Sequence, residues 1–413
     1  MTIPAEILCP TCGAAFHLKY QIDTSIEWRT WPMELVCPNC NDRIHLELDK
    51  NGLKPDLEKA DRYAEGYLVG YCAGLPTPRP LYYEKQSHGL ALSLYQTLQM
   101  VFGFEEMHLY NMALKGVMHG VDQWSEALDS LHKLLQAKEL KPEYYIRKIK
   151  AIFGDDTPVD GIETVEDCHG HYVTMIGVVF ANFNKGSFTS SLLNMLFRKV
   201  RHNFKSDTEG PMKVVECCKE AGVSEELYNE VAEQINKNVK DLAKFLPAFM
   251  LDFNGGSGKD LFLMTTTEKE INDLYADNFE VIGKCLPLVM AFYNQIHHGN
   301  PNIFKDKDGK AYHADMAKFI SHTNGTRLNL MQRLPKLRVA FSEIADNGIR
   351  NGIHHNNTSY DHWTQTVTYA PDPSRPEIKK RYRLIDAAHA VLNQLRFLTL
   401  IFPFLRLNNR FGE

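Results

Sequence analysis

Two short motifs near the start constrain this chain more than any other feature: Cys9-Pro10-Thr11-Cys12-Gly13 and Cys37-Pro38-Asn39-Cys40-Asn41, with about 24 residues between the inner cysteines. A Cys-x-x-Cys turn offers two thiolates side by side, and two such turns offer the four soft ligands of a tetrahedral zinc site. Each turn is followed by an alternating stretch, Phe16-His17-Leu18 and Ile44-His45-Leu46-Glu47-Leu48, which suits short strands. Residues 1–52 are therefore expected to form a zinc ribbon, a small β element in which Cys9, Cys12, Cys37 and Cys40 hold a structural Zn2+. A redox pair would need a βαβ pattern nearby, and this segment has none. His17 and His45 read as surface strand residues, because four thiolates already complete the coordination. Trp28 and Trp31, between the knuckles, are placed to cover the metal or to meet a partner. Zinc ribbons bind nucleic acid, bind protein or cap a fold, and the few Lys and Arg here leave those three roles open.

The rest of the composition bounds the class. The chain has 413 residues, enough for two or three domains, and its 44% hydrophobic and 23% charged content is that of a globular protein. A net charge of −5 and a pI near 6.4 exclude a broad basic face, so any nucleic-acid contact is expected in a local cleft. Nine cysteines, four of them in close pairs, point to thiolates on a metal in a reducing compartment. Met1 to Leu8 has no basic start or apolar core of a signal peptide, and the apolar run Phe397 to Leu405 is interrupted by Pro403. The expectation is a cytoplasmic protein with no membrane span.

Residues 56–252 read as an irregular helical region. Ala60 to Ala73, Ser87 to Phe102, Met107 to Leu135, Pro142 to Phe153, Phe188 to Arg201, Glu225 to Glu233 and Val239 to Leu251 run at helical spacing between Pro- and Gly-rich breakers. A small strand element is expected near His171 to Phe180. The basic run Arg198 to Lys205 reads as a solvated helix end, Cys168, His169 and His171 lack a fourth ligand at metal spacing, and Cys217-Cys218 read as buried thiols. The Gly-rich stretch Asp252 to Lys259 reads as a flexible linker or tight turn and not as a phosphate loop, since Asp260 stands where a Walker motif needs Ser or Thr.

Beyond it, residues 260–413 begin with a long amphipathic helix, Glu270 to His298, and short helices at His313 to Phe319 and Arg327 to Leu334. Leu337, Phe341, Ile344 and Gly348 then keep one helical face, with Glu343, Asp346 and Arg350 opposite. This helix leads into Arg350-Asn351-Gly352-Ile353-His354-His355. A guanidinium can grip a phosphate bidentately, while an imidazole titrates near neutrality and can move a proton. Thr364 to Tyr369 and Lys380 to Ile385 alternate around a proline-broken turn, predicting a β-hairpin, and Asp386 caps a last helix running to about Phe402. Lys379, Lys380, Arg381 and Arg383 put cations on that hairpin.

Arg350-Asn351-x-x-x-His355, with a helix leading in and a polar loop, hairpin and helix following, resembles the Arg-x(4 to 6)-His signature of the HEPN superfamily. The resemblance covers about the last third of the chain. It implies a helical bundle that dimerises, pairing two Arg/His sets across one cleft, and an endoribonuclease that needs no metal for catalysis. In that scheme Arg350 holds phosphate, His355 is the acid or base, Asn351 orients, and Asp346 or Glu343 positions Arg350. The family spacing selects His355, whereas a helical wheel places His354 on the face of Arg350. The overall expectation is a mainly α protein: zinc ribbon, helical middle region and a C-terminal HEPN-like helical bundle with a β-hairpin insertion. Its expected partners are an RNA substrate, a second copy of the chain, and a ligand or protein sensed through the N-terminal and middle regions. The resemblance also admits a defence or toxin role. Its rivals are a non-catalytic HEPN-like dimerisation or RNA-binding protein, and a zinc-ribbon DNA-binding regulator.

Overall fold

The computed structural model describes residues 2–21, 30–49, 52–61, 65–72, 75–78, 84–86, 103–180, 198–199, 202, 209–224, 226–253, 261–305, 308–355, 357–372 and 374–410. The expected helices Ser87 to Phe102 and Phe188 to Arg201, most of the basic run 198–205, most of the linker 252–259 and Trp28 lie wholly or largely outside these residues. The chain divides into two compact units. One gathers Met1–Met118, Asp241–Ala276 and Gly348–Leu392, and the other gathers His119–Lys240, Asp277–Asn347 and Asn393–Glu413. This partition by compactness differs from the consecutive segments 1–52, 56–252 and 260–413 suggested by composition and breakers.

The first unit holds the strands. β1 (Thr2–Leu8) and β2 (Ala15–Gln21) form one antiparallel hairpin over the first knuckle, and β3 (Trp31–Val36) and β4 (Arg43–Asp49) form another over the second. Alternation decides which way each strand faces: Trp31, Met33 and Leu35 of β3 and Ile44, Leu46 and Leu48 of β4 are buried, while Arg43, His45 and Glu47 are exposed. Trp31 is thus a core residue. β5 (Gly52–Lys54) extends the second hairpin.

The first hairpin grows differently. β6 (Gly66–Cys72) runs parallel to β2, and the order β1-β2-β6-β8 is completed by β8 (Glu84–Gln86). The helix expected over Ala60 to Ala73 is therefore a strand across half of its length, Gly66–Cys72. Leu68, Val69, Gly70 and Tyr71 form a continuous buried run, as a strand inside a sheet requires, and a short apolar run of this kind has no period that separates strand from helix. A Cβ on Gly66 would lie 2.6 Å from the Ala15 carbonyl oxygen, so only glycine lets the two strands approach this closely.

Segments remote in sequence close this unit. β7 (Thr77–Pro78) pairs with β9 (Leu261–Phe262), and the Glu34 N–H donates to the Met264 carbonyl at 2.6 Å. Gln365, buried and held at φ 47°, uses its side-chain amide as a peptide group would. It accepts from the Leu263 N–H at 2.7 Å and donates to the Leu263 carbonyl at 2.8 Å, while its own carbonyl accepts from the Leu384 N–H. β10 (Thr358–Asp361), β11 (Thr366–Tyr369) and β12 (Lys380–Arg383) make a three-stranded antiparallel sheet, so the expected hairpin is present with an additional strand.

The second unit is helical. It contains Pro142–Phe153, Val165–Val179, Glu209–Glu220, Leu227–Lys240, Met316–Ile320, Asn324–Met331 and Pro335–Ser342, with parts of the long helices Phe104–Leu135, Glu268–His298 and Leu384–Arg410. Val165–Val179 replaces the strand expected near His171 to Phe180. Its start is fixed by a capping box, in which Thr164 Oγ1 accepts from the Asp167 N–H and the Asp167 carboxylate accepts from the Thr164 N–H. The β-branched run that suggests a strand is overridden by this cap. Tyr228 stacks on Phe402 with ring centroids 4.7 Å apart, and Asn278 exchanges side-chain hydrogen bonds with Asn238 and accepts from Gln234. The window Leu384–Leu405 is long and apolar enough to cross a membrane, but 78% of it is buried in the protein, as befits a core helix.

Candidate functional site

Both knuckles fold by the same local rule. The Cys9 N–H donates to the Ala14 carbonyl and the Gly13 N–H to the Cys9 carbonyl; correspondingly, the Cys37 N–H donates to Asp42 and the Asn41 N–H to Cys37. The residue closing each turn has positive φ, 71° at Gly13 and 60° at Asn41, which glycine and asparagine adopt most readily. The four Sγ atoms lie within 4.8 Å of one another, with Cys9 to Cys40 at 3.7 Å and Cys12 to Cys37 at 3.6 Å. Ligands at the zinc–sulfur distance of about 2.3 Å stand roughly 3.8 Å apart at the corners of a tetrahedron, so this cluster fits a metal ion such as zinc. The Cys12 thiol is pulled down to about 6, first by a hydrogen bond with the Asn39 side chain and then by the Ala14 backbone, while burial pushes Cys37 up to about 12.

The two hairpins are copies. Residue n of the first matches residue n + 28 of the second through Pro4/Pro32, Glu6/Glu34, Cys9/Cys37, Cys12/Cys40, His17/His45 and Leu18/Leu46. In each copy the Glu and His stand opposite each other across the strand pair and bond through the His Nδ1. These carboxylate–imidazole pairs are absent from a reading based on cysteine spacing alone. Aligning the two Cys-Pro-x-Cys motifs outward would have exposed them.

Arg350, Asn351 and His354 lie on the helix Asn347–His354, and His355 lies in the turn that ends it. This helix is separate from Pro335–Ser342, which corrects the expectation of one continuous helix. Asp346 directly precedes the helix, where its charge favours the positive end of the helix dipole, and Glu343 follows the preceding helix on the surface. Leu337, Phe341 and Ile344 share the buried side as expected. Arg350 and Asn351 are half-buried, while His354 and His355 are exposed and meet edge to face with ring centroids 5.2 Å apart.

What fixes the helix is a close approach at Gly352. A Cβ there would sit 2.9 Å from the Tyr369 Cβ, so the helix backbone lies directly on β11. The Asn351 amide donates to the Pro371 carbonyl at 3.4 Å, the His355 N–H to the Asn351 carbonyl, and the Asn357 N–H to the Gly352 carbonyl. The two imidazoles therefore leave a backbone clamped to the sheet.

The remaining candidates have packing roles. His171 Nδ1 hydrogen-bonds with the Tyr145 hydroxyl and His169 Nδ1 with that of Tyr228, while Cys168 and Cys218 are buried. Among the described residues, the four-cysteine cluster is the group of three or more His, Cys, Asp or Glu side chains that could hold a metal. Comparison of the chain with protein-family models, with curated proteins and with solved structures gives no match.

Proposed function

We propose that this chain is a metal-independent endoribonuclease with a HEPN-like C-terminal region, acting as a homodimer, and that Cys9, Cys12, Cys37 and Cys40 hold a structural zinc. The observation that carries the reading is the clamped helix Asn347–His354, which presents half-buried Arg350 one turn ahead of exposed His354 and leads directly into exposed His355. One imidazole takes the proton of a ribose 2′-hydroxyl, and the alkoxide attacks the neighbouring phosphorus. The 5′-oxygen leaves with a proton from an imidazolium, giving a 2′,3′-cyclic phosphate and a free 5′-hydroxyl. Arg350 offsets the charge that develops on the non-bridging oxygens, helped by Asn351, and Asp346 or Glu343 positions Arg350. DNA lacks the attacking hydroxyl and is not a substrate.

The test is incubation of purified protein with labelled RNA in excess chelator, with its zinc content measured before and after. Arg350→Ala and His355→Ala should each lower cleavage by about a hundred- to ten-thousand-fold. Loss in His354→Ala with His355→Ala active moves the acid–base role to His354. Binding without cleavage assigns a non-catalytic RNA-binding role, and preference for duplex DNA assigns a regulator. Sedimentation measures the dimer.

A further inference from the structure

We infer that the outer face of the sheet β10–β11–β12 is a binding groove for single-stranded RNA, with Trp363 stacking on a base and Arg381 gripping a phosphate. The inference deepens the ribonuclease reading and rests on it for the choice of RNA as ligand.

The register separates the two faces of this sheet. Val367 and Tyr369 of β11 are buried on one side, so Thr366 and Thr368 point to the other. Across that outer face, Ser359, Thr368 and Arg381 form one row, and Asp361, Thr366 and Arg383 form the next. A cavity of about 390 Å³ lies here, lined by Ser359, Thr364, Thr366 and Thr368 together with Tyr360, Asp361 and Arg381; the Thr364 hydroxyl donates to Asp361 and the Thr366 hydroxyl to the Thr364 carbonyl.

The charges along this face are unequal in availability. Arg383 is engaged by Asp386 at 3.4 Å, whereas among the described residues no carboxylate pairs with Arg381. Asp361 is committed to the turn: its Oδ1 accepts from the Trp363 N–H at 3.0 Å and its Oδ2 from the Thr364 hydroxyl at 2.8 Å. The same turn carries His362 and Trp363, directly after Tyr360 and Asp361. The Tyr360 and His362 rings, and the His362 and Trp363 rings, each stand 6.0 Å apart, and Trp363 is 38% exposed. His362 Nδ1 is buried without a hydrogen-bond partner among the described residues.

A free guanidinium, a run of hydroxyls and an exposed indole are the three groups that a sugar–phosphate strand with unpaired bases engages. A neutral saccharide would use the hydroxyls and the indole but gain little from the Arg381 charge. A duplex would offer no open base face to Trp363. Ser359 stands four residues beyond His355, within about 14 Å by chain reach, so a few nucleotides span from the imidazoles to the groove.

The experiment uses the full chain with its zinc and a short labelled RNA carrying 2′-O-methyl groups throughout, which cannot be cut by 2′-hydroxyl attack. Trp363→Ala should weaken binding on the order of tenfold, with Trp363→Phe largely restoring it. Arg381→Ala should also weaken it and should reduce the slope of log affinity against log salt by about 0.7. Circular dichroism and zinc content confirm that each variant is folded. Wild-type affinity in both alanine variants overturns the groove, as does binding of a neutral oligosaccharide with none of the RNA. Equal binding of the matching DNA oligonucleotide supports a single-strand groove but overturns its restriction to RNA. Cleavage of unmodified RNA is scored separately: binding retained with no cleavage removes the nuclease alone, and cleavage retained with unaltered variant binding removes the groove alone.

Discussion

Gly352→Ala sets two opposing effects against each other, and the structure decides the winner. Replacing a glycine inside a helix with alanine ordinarily stabilises by about 1 kcal/mol, through helix propensity. At Gly352 the new methyl would lie 2.9 Å from the Tyr369 Cβ and 3.0 Å from its Cδ2. Tyr369 cannot move aside cheaply, because it is held in β11 between β10 and β12 and its ring packs on Tyr382 at 5.5 Å. Overpacking of this kind costs typically 1–3 kcal/mol, so the expected net is a loss of up to about 2 kcal/mol. For a unit of this size that corresponds to several degrees in Tm. Gly177 supplies the control: it is exposed in Val165–Val179, and a Cβ there meets nothing within 4 Å. Gly177→Ala should therefore gain the propensity term, about 1 kcal/mol, unopposed. Urea unfolding by circular dichroism measures both. If Gly352→Ala is as stable as Gly177→Ala, the helix does not rest on β11 as described, and the clamp that holds Arg350 and the imidazoles is wrong. RNA cleavage by Gly352→Ala should fall with stability, because the displaced backbone carries the proposed site.

Cys37→Ser should abolish stoichiometric zinc binding, as read by elemental analysis, and should lower the thermal stability of the first unit; retention of zinc would refute the tetrathiolate assignment. Gly66→Ala places a methyl 2.6 Å from the Ala15 carbonyl oxygen, a backbone atom that cannot rotate away, and should cost about 1–3 kcal/mol with faster loss of zinc to a chelator. Burial holds His132 below its ordinary value, despite an opposing hydrogen bond with the Asn229 side chain, and burial likewise lowers His171. The unfolded chain therefore binds protons that the folded chain refuses. Stability should fall as pH drops below about 6.5 and level off below the depressed folded values. His132→Phe should flatten that slope in urea titrations at successive pH values, and an unchanged slope would refute it.

The four-cysteine cluster was legible because its members sit at fixed spacing within two local motifs. Its duplication was equally present in the letters, but the eye is drawn to cysteine, and Glu6, His17, Glu34 and His45 carry no signal singly. The misread elements failed for physical reasons. Leu68 to Tyr71 is apolar on both sides, so its period is uninformative, and the strand exists because Gly66 admits β2. The Val165–Val179 helix wins over its β-branched content through the box at Thr164 and Asp167. Pairings such as Glu34 with Met264 or Gln365 with Leu263 depend on segments more than a hundred positions apart, and no local pattern encodes them. In the candidate site, Arg350, His354 and His355 stand out by residue type and share one short stretch. Their anchorage does not, since nothing in Gly352 by itself points to Tyr369.

The Gln365 side chain also imposes an order on synthesis. A ribosome releases Leu263 well after the four-cysteine segment, and Gln365 emerges 102 residues after that. Until then the amide and carbonyl of Leu263 lack the Gln365 partner they have in the folded chain. The first unit thus closes only after Gln365 has been made, so a translation product that stops before it would keep its two cysteine turns yet expose unfinished strands to proteases and chaperones.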